Sequence, residues 1–250
     1  MACAPFILDG GISTELEERG FQIQGDPLWS ARILYTNPNA VKDVHYSFLQ
    51  CGSDILTTAT YQASIEGFTK YLGLKPEEAE ELLMSGVRVA RESITDFMAN
   101  GLTADRKVPS VAGSVGPYGA FLHDGSEYTG VYASSMSVEE LKNWHRPQIH
   151  SLVAAGVDLL ALETIPSLKE AEALVELLRE FPDAKAWLSF SCKARRMIAL
   201  SWKETEISSA YSWIKEMAMC VTLEKLTYIT RGKVQQFEEI WAPLLDFLKK

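Results

Sequence analysis

The sequence predicts an α/β fold: a TIM (β/α)8-type barrel, incomplete, with about five βα units followed by a divergent, mostly helical tail. Three observations carry this. Short apolar runs alternate with longer amphipathic stretches, the pattern of a parallel sheet covered by helices. Two of those runs end in an acid, Phe6-Ile7-Leu8-Asp9 and Leu159-Leu160-Ala161-Leu162-Glu163, and the carboxyl ends of strands are where (β/α) barrels place their sites. Finally, no G-x-G-x-x-G or G-x-x-x-x-G-K-[ST] follows any strand, which argues against a doubly wound nucleotide binder.

Taken in order, Phe6–Leu8 reads as a short buried strand delivering Asp9. Gly10 and Gly11 then offer positive φ and close approach. A loop region with Asp26-Pro27 and Asn37-Pro38 follows. Pro38 opens a helix with Val41, Val44, Phe48 and Leu49 on one face, ended by Cys51-Gly52. Asp54–Tyr61, rich in β-branched residues, is the second strand. Pro76 starts a long helix that Asn100-Gly101 closes. Val108–Val115 is the third strand, and a polar and aromatic loop, Phe121 to Tyr132, comes after it. Ser137-x-x-Glu140 has capping-box form, Pro147 should kink or enter the next helix, and Gly156 ends it. The fourth strand leads to Glu163. Ser167-x-x-Glu170 reads as a second capping box, opening a helix over Leu168–Phe181 with Leu168, Ala171, Leu174, Val175 and Leu178 inward. Ala186–Cys192 is the fifth strand.

Beyond Ala194 the pattern changes, with Gly232 and Pro243 the only glycine and proline. Glu206–Met219 and Val234–Lys249 read as helices and Val221–Thr230 as a strand, with the tail tryptophans covering barrel edge. Eight βα units typically need about 250 residues, so ordinary units cannot complete a barrel here. The expected organisation is a barrel portion over 1–193 and a tail over 194–250 packed on the same domain.

The net charge of −9 and the lack of a basic stripe exclude nucleic-acid binding. No run reaches the ~20 apolar residues a membrane span needs. The four cysteines lack CxxC spacing, the usage of reduced thiols, and the expected location is cytoplasmic. On their own residues, His45 is read as structural or exposed, and Cys51 and Cys220 as small apolar fillers. Asp9 and Glu163 could also be a turn cap and a helix-entry charge, or the paired acids of a glycosidase.

Five stretches together resemble the homocysteine S-methyltransferase family, nearest its S-methylmethionine-using members. They are LDGG (8–11), TTATYQAS (57–64), GSVGPYGAFLHDGSEYTGVY (113–132), HRPQIHSLVAAGVDLLALETIPSLKEAEAL (145–174) and AWLSFSCK (186–193). The resemblance implies a TIM-barrel, zinc-dependent enzyme that moves a methyl group from S-methylmethionine or S-adenosylmethionine to homocysteine, giving methionine. It implies that Asp9 and Glu163 hold the homocysteine ammonium, that Gly10 and Gly11 let the substrate lie close, and that Thr60, Ser114 and Tyr118 line the pocket.

The family takes zinc from three cysteine thiolates, in G-x-N-C and G-G-C-C segments, and neither motif occurs here. Methyl transfer is therefore in question. The alternative expectation is a non-catalytic truncated variant, its ending drawn from different coding sequence, that retains small amino-acid or partner binding. An open barrel edge would further favour self-association.

Overall fold

A computed structural model describes residues 6–100 and 106–191. Contacts divide the chain into Met1–Phe190 and Ser191–Lys250, and the elements below all belong to the first unit. The expected tail helices and strand lie outside the described residues.

Helices α1 (Ile12–Glu18), α2 (Ala31–Thr36) and α3 (Pro38–Gln50) precede strand β1 (Ile55–Thr57). Then come α4 (Ile65–Leu72), α5 (Pro76–Ala99), β2 (Ser110–Val115), α6 (Tyr118–Leu122), α7 (Ser126–Thr129) and, past a 3-10 turn at Val131–Ser134, α8 (Val138–Ala154). Strand β3 (Leu159–Ile165), α9 (Leu168–Leu177), a second 3-10 turn at Leu178–Glu180 and β4 (Ala186–Phe190) complete the set.

The strands form one parallel sheet in the order β1-β2-β3-β4. Their register decides which residues share a face. Leu56 pairs with Val111, Val115 with Leu162 and Leu160 with Ala186. Leu56, Val111, Val115, Leu160 and Leu162 enter the main core with Leu83, Val87 and Ala90 of α5, Ile149 and Leu152 of α8, and Leu174 and Leu177 of α9. Since successive side chains alternate, Thr57, Ser114, Ala161 and Glu163 point to the opposite face. Small and polar residues thus converge on the side the helices do not cover.

The expected α/β pattern of a parallel sheet with helices on one side is present. Several local expectations are corrected. Phe6, Ile7 and Leu8 are 65%, 55% and 51% exposed, and a single bridge, Leu8 to Ile55, ties them to the sheet. They run along the outer side of β1, so pairing is one-sided. Strand β1 is shorter than Asp54–Tyr61: Thr58 N still donates to Ala112 O at 2.9 Å, and beyond it the Thr58 and Thr60 side-chain hydroxyls make the contacts with β2. Helices α1, α2, α4, α6 and α7 occupy stretches without a long apolar period. Of these, α4 is opened by Ser64 Oγ, which accepts from Gly67 N at 2.9 Å. Leu168 and Val175 are exposed at 67% and 52%, and α9 buries Glu170, Ala173 and Leu177 alongside Ala171 and Leu174.

The Ser137 capping box forms as expected, with Ser137 Oγ accepting from Glu140 N and Glu140 Oε2 accepting from Ser137 N at 2.7 Å. Its counterpart at Ser167 does not form. Glu170 turns inward instead. It is fully buried and accepts from Tyr118 N at 2.7 Å, from His145 Nε2 at 2.9 Å and from the Tyr132 hydroxyl. One carboxyl group thereby joins α9, α8 and the start of α6, and three buried donors outcompete a solvent-facing cap.

Candidate functional site

Strand ends bring the acids together. Asp9 follows the Leu8 bridge, with its N–H donated to Ile55 O at 3.1 Å. Its carboxylate accepts from Thr57 N at 2.7 Å and from Thr57 Oγ1 at 2.9 and 3.0 Å. Two strands away, Glu163 Oε2 accepts from Ser114 Oγ at 3.0 Å. Burial is the main cause that raises Asp9 to about 7; its bonds from Thr57 oppose the shift, and repulsion from Glu163 adds to it. The two carboxyl groups feel one another across β1 and β2.

The backbone at Glu163 is irregular. Leu162 pairs with Leu188 and Ile165 with Phe190, so Glu163 and Thr164 together oppose Ser189 alone. Thr164 has φ +60°, a left-handed conformation that β-branched residues rarely take, and its N–H is donated to Ser189 Oγ at 3.2 Å. Such a bulge re-aims the side chains beside it and recurs near functional sites.

Thr60 is fully buried and stitches β1 to β2. Its hydroxyl donates to Ser114 O at 2.7 Å and meets Thr58 Oγ1 at 2.6 Å, while Ser114 N donates to Thr58 Oγ1 at 3.0 Å. A hydroxyl has one proton, so Thr58 donates to Thr60 and the chain has a single direction. This places Thr60 behind Ser114. Gly10 and Gly11 do not use positive φ, contrary to one role expected of them. A Cβ on Gly10 would lie 3.0 Å from the Phe48 ring, so its smallness serves packing there. The Tyr118 ring lies in an aromatic cluster with Phe121, Tyr132 and Trp144, its centroid 5.1 Å from that of Trp144.

Three residues not singled out in the sequence also belong to this end of the sheet. Thr57 holds Asp9, as described. The Tyr61 hydroxyl is pushed well above its ordinary range by burial, with Tyr128, Glu127 and Glu163 adding negative potential. Burial likewise raises Glu127, one of whose carboxyl oxygens is enclosed without a partner among the described residues. Thr57, Tyr61 and Glu127 all fall inside the motifs quoted above, but no spacing rule marks them.

For zinc the described residues do not fit. No group of three or more His, Cys, Asp or Glu among them is disposed to hold a metal ion. Cys51 is exposed, and Cys3, Cys192 and Cys220 lie outside the described residues. The described helices also include none long and apolar enough to cross a membrane.

Parallel α/β sheets hold ligand sites outside the carboxyl ends of their strands, where these two acids lie, and relatives narrow the class. The homocysteine S-methyltransferase family model matches residues 6–226, which extends past the last quoted motif at Lys193. The chain belongs to that family. It is 49% identical over 193 residues to a betaine-homocysteine S-methyltransferase of Drosophila melanogaster, covering 76% of this chain and 58% of that protein. It is 44% identical over 213 residues to the homocysteine S-methyltransferase YbgG of Bacillus subtilis, covering 84% and 65%. The metallated form of the homocysteine methyltransferase MmuM from Escherichia coli superposes with a TM-score of 0.69 at 43% identity, over 75% of this chain and 64% of that one. The chain thus spans roughly three-fifths of these relatives' length.

Proposed function

We propose that the ends of β1, β2 and β3 bind homocysteine, with its ammonium between Asp9 and Glu163. The observation that carries this reading is the placing of both acids at strand ends on the face that the helices leave uncovered, each held by a hydroxyl of the adjoining strand. An ammonium offers three donors, and charge-assisted hydrogen bonds from it suit two ionised carboxylates. Ser114 orients Glu163, Thr60 positions Ser114, and Gly10 and Gly11 keep the wall low beside Asp9. Tyr118 closes the flank through its aromatic neighbours.

The reaction proposed is that of a homocysteine S-methyltransferase. A homocysteine sulfur attacks the methyl carbon of a sulfonium, S-methylmethionine or S-adenosylmethionine. The methyl–sulfonium bond breaks with its electron pair going to the departing sulfur, which leaves as a neutral thioether, and the thiol proton goes to solvent. Bound zinc would hold the homocysteine sulfur as a thiolate, and the described residues include no ligand set for it. Closure of the sheet as an incomplete TIM-type barrel, with a barrel portion over 1–193 and a tail on the same domain, belongs to the same proposal, as does a cytoplasmic location.

Homocysteine binding without transfer is the second reading, suggested by a sequence that carries neither G-x-N-C nor G-G-C-C. Calorimetry near neutral pH, in two buffers of different ionisation enthalpy, tests the binding claim. An arriving ammonium favours ionised Asp9, so binding should release a proton, and Asp9→Asn should abolish the release. Equal heats in both buffers would refute it. Methylation of homocysteine by S-methylmethionine, assayed beside metal analysis of the same sample, separates enzyme from binder.

A further inference from the structure

A second concave site lies away from the strand ends. Between α4 and α8, with the start of α5 at its rim, is a cleft of about 630 Å³, within the range of small-molecule pockets. Gln148 of α8 forms part of its wall and is only 3% exposed. Its Nε2 donates to Thr60 O at 2.8 Å, which fixes the amide's orientation, and its Oε1 is enclosed with no partner among the described residues. A buried amide oxygen without a donor is costly, and a ligand that donates there removes the cost.

The rest of the wall says what that ligand carries. Pro147 has no N–H to give the Asn143 carbonyl one turn earlier, and both residues line the cleft. Glu66 and Lys70, four apart on α4, add one charge of each sign, and no ion pair among the described residues occupies either. The Lys70 ammonium is poised over the Tyr71 and Phe121 rings, 4.9 and 5.7 Å from their centroids. Ile65 and the Trp144 indole supply apolar surface. The wall therefore offers acceptors for an ammonium at Gln148 and Glu66, a cation for a carboxylate at Lys70, and an apolar remainder.

We propose that the cleft between α4 and α8 is a second small-molecule site, built for a zwitterionic amino acid with an apolar side chain. It does not depend on the reading of Asp9 and Glu163. Through Gln148, Thr60 and Ser114, a line of hydrogen bonds runs from this cleft to Glu163, so the two sites share a frame.

L-norleucine, which has no thiol, is the probe, titrated by calorimetry into the full chain carrying Asp9→Asn, so that the strand-end acids do not contribute. One-site binding is expected to persist there, to weaken roughly tenfold or more with added Glu66→Gln or Lys70→Met, and to vanish for N-acetyl-L-norleucine, which lacks the ammonium. Both variants change exposed side chains, and circular dichroism checks that they fold. Absence of binding in the Asp9→Asn chain overturns the proposal, as does binding indifferent to both α4 variants or equal for the acetylated probe.

Discussion

Two buried titratable groups pull the stability of this protein in opposite directions over one pH range. Asp9, raised from 3.8 to about 7, keeps a proton in the folded state that the unfolded chain has already lost. Its contribution to stability is present at low pH and is lost as pH rises towards 7. His45 does the reverse. It is fully buried on α3, neither ring nitrogen has a partner among the described residues, and burial lowers it from 6.5 to about 4. The unfolded chain binds that proton first, so stability falls as pH drops from 6.5 towards 4, by about 2 kcal/mol at about pH 5. Urea unfolding between about pH 5 and 8 separates the two. Asp9→Asn should remove a decline with rising pH, and His45→Leu should remove a decline with falling pH. Wild-type pH slopes in both variants would refute these assignments.

At the scale of elements, the segment between β2 and α8 is seated by backbone proximity. A Cβ on Gly119 would lie 2.4 Å from Glu127 N and 2.6 Å from Ser126 C, and one on Gly116 would lie 2.5 Å from Tyr61 O. These atoms are backbone and cannot swing aside. Gly119→Ala should cost about 1–3 kcal/mol, as overpacking does. Gly10→Ala meets only the far edge of the Phe48 ring and should cost less. Denaturant midpoints of the two variants check the ranking, and an equal or reversed order would count against it. The segment also presents Glu127 and Tyr128 towards Tyr61, so its displacement should weaken homocysteine binding as well. Glu170 anchors the same segment from α9, through Tyr118 N and the Tyr132 hydroxyl.

At the scale of the molecule, the exposed apolar side chains among the described residues include a group at the sheet margins, with Phe6, Ile7 and Leu8 beside β1 and Phe190, 52% exposed, at the end of β4. One-sided strands with apolar side chains invite pairing between copies. Concentration-dependent association is the expected outcome in sedimentation velocity, and Ile7→Lys should reduce it; a monodisperse monomer at all concentrations would refute it. The net charge of −9 opposes association at low ionic strength, so added salt should strengthen it.

Much of this fold was legible because its signals are local and periodic. Apolar spacing exposed α3 and α5, Pro38 and Pro76 marked their starts, a capping box at Ser137 opened α8, and Gly156, with φ +83°, marked its stop. The same kind of local pattern misled at Ser167, where a capping-box sequence gave way to long-range donors on Tyr118, His145 and Tyr132. It also missed α4 and α6, which are too short for a period to show. Sequence alone determined the parallel α/β pattern, the family and the two acids, since each is written in contiguous residues. Only the tertiary structure decided that Asp9 and Glu163 share a face, that a bulge at Thr164 aims one of them, and that Gln148 is left with an unused acceptor. Those depend on register and burial between strands far apart in the chain, which no stretch of sequence contains.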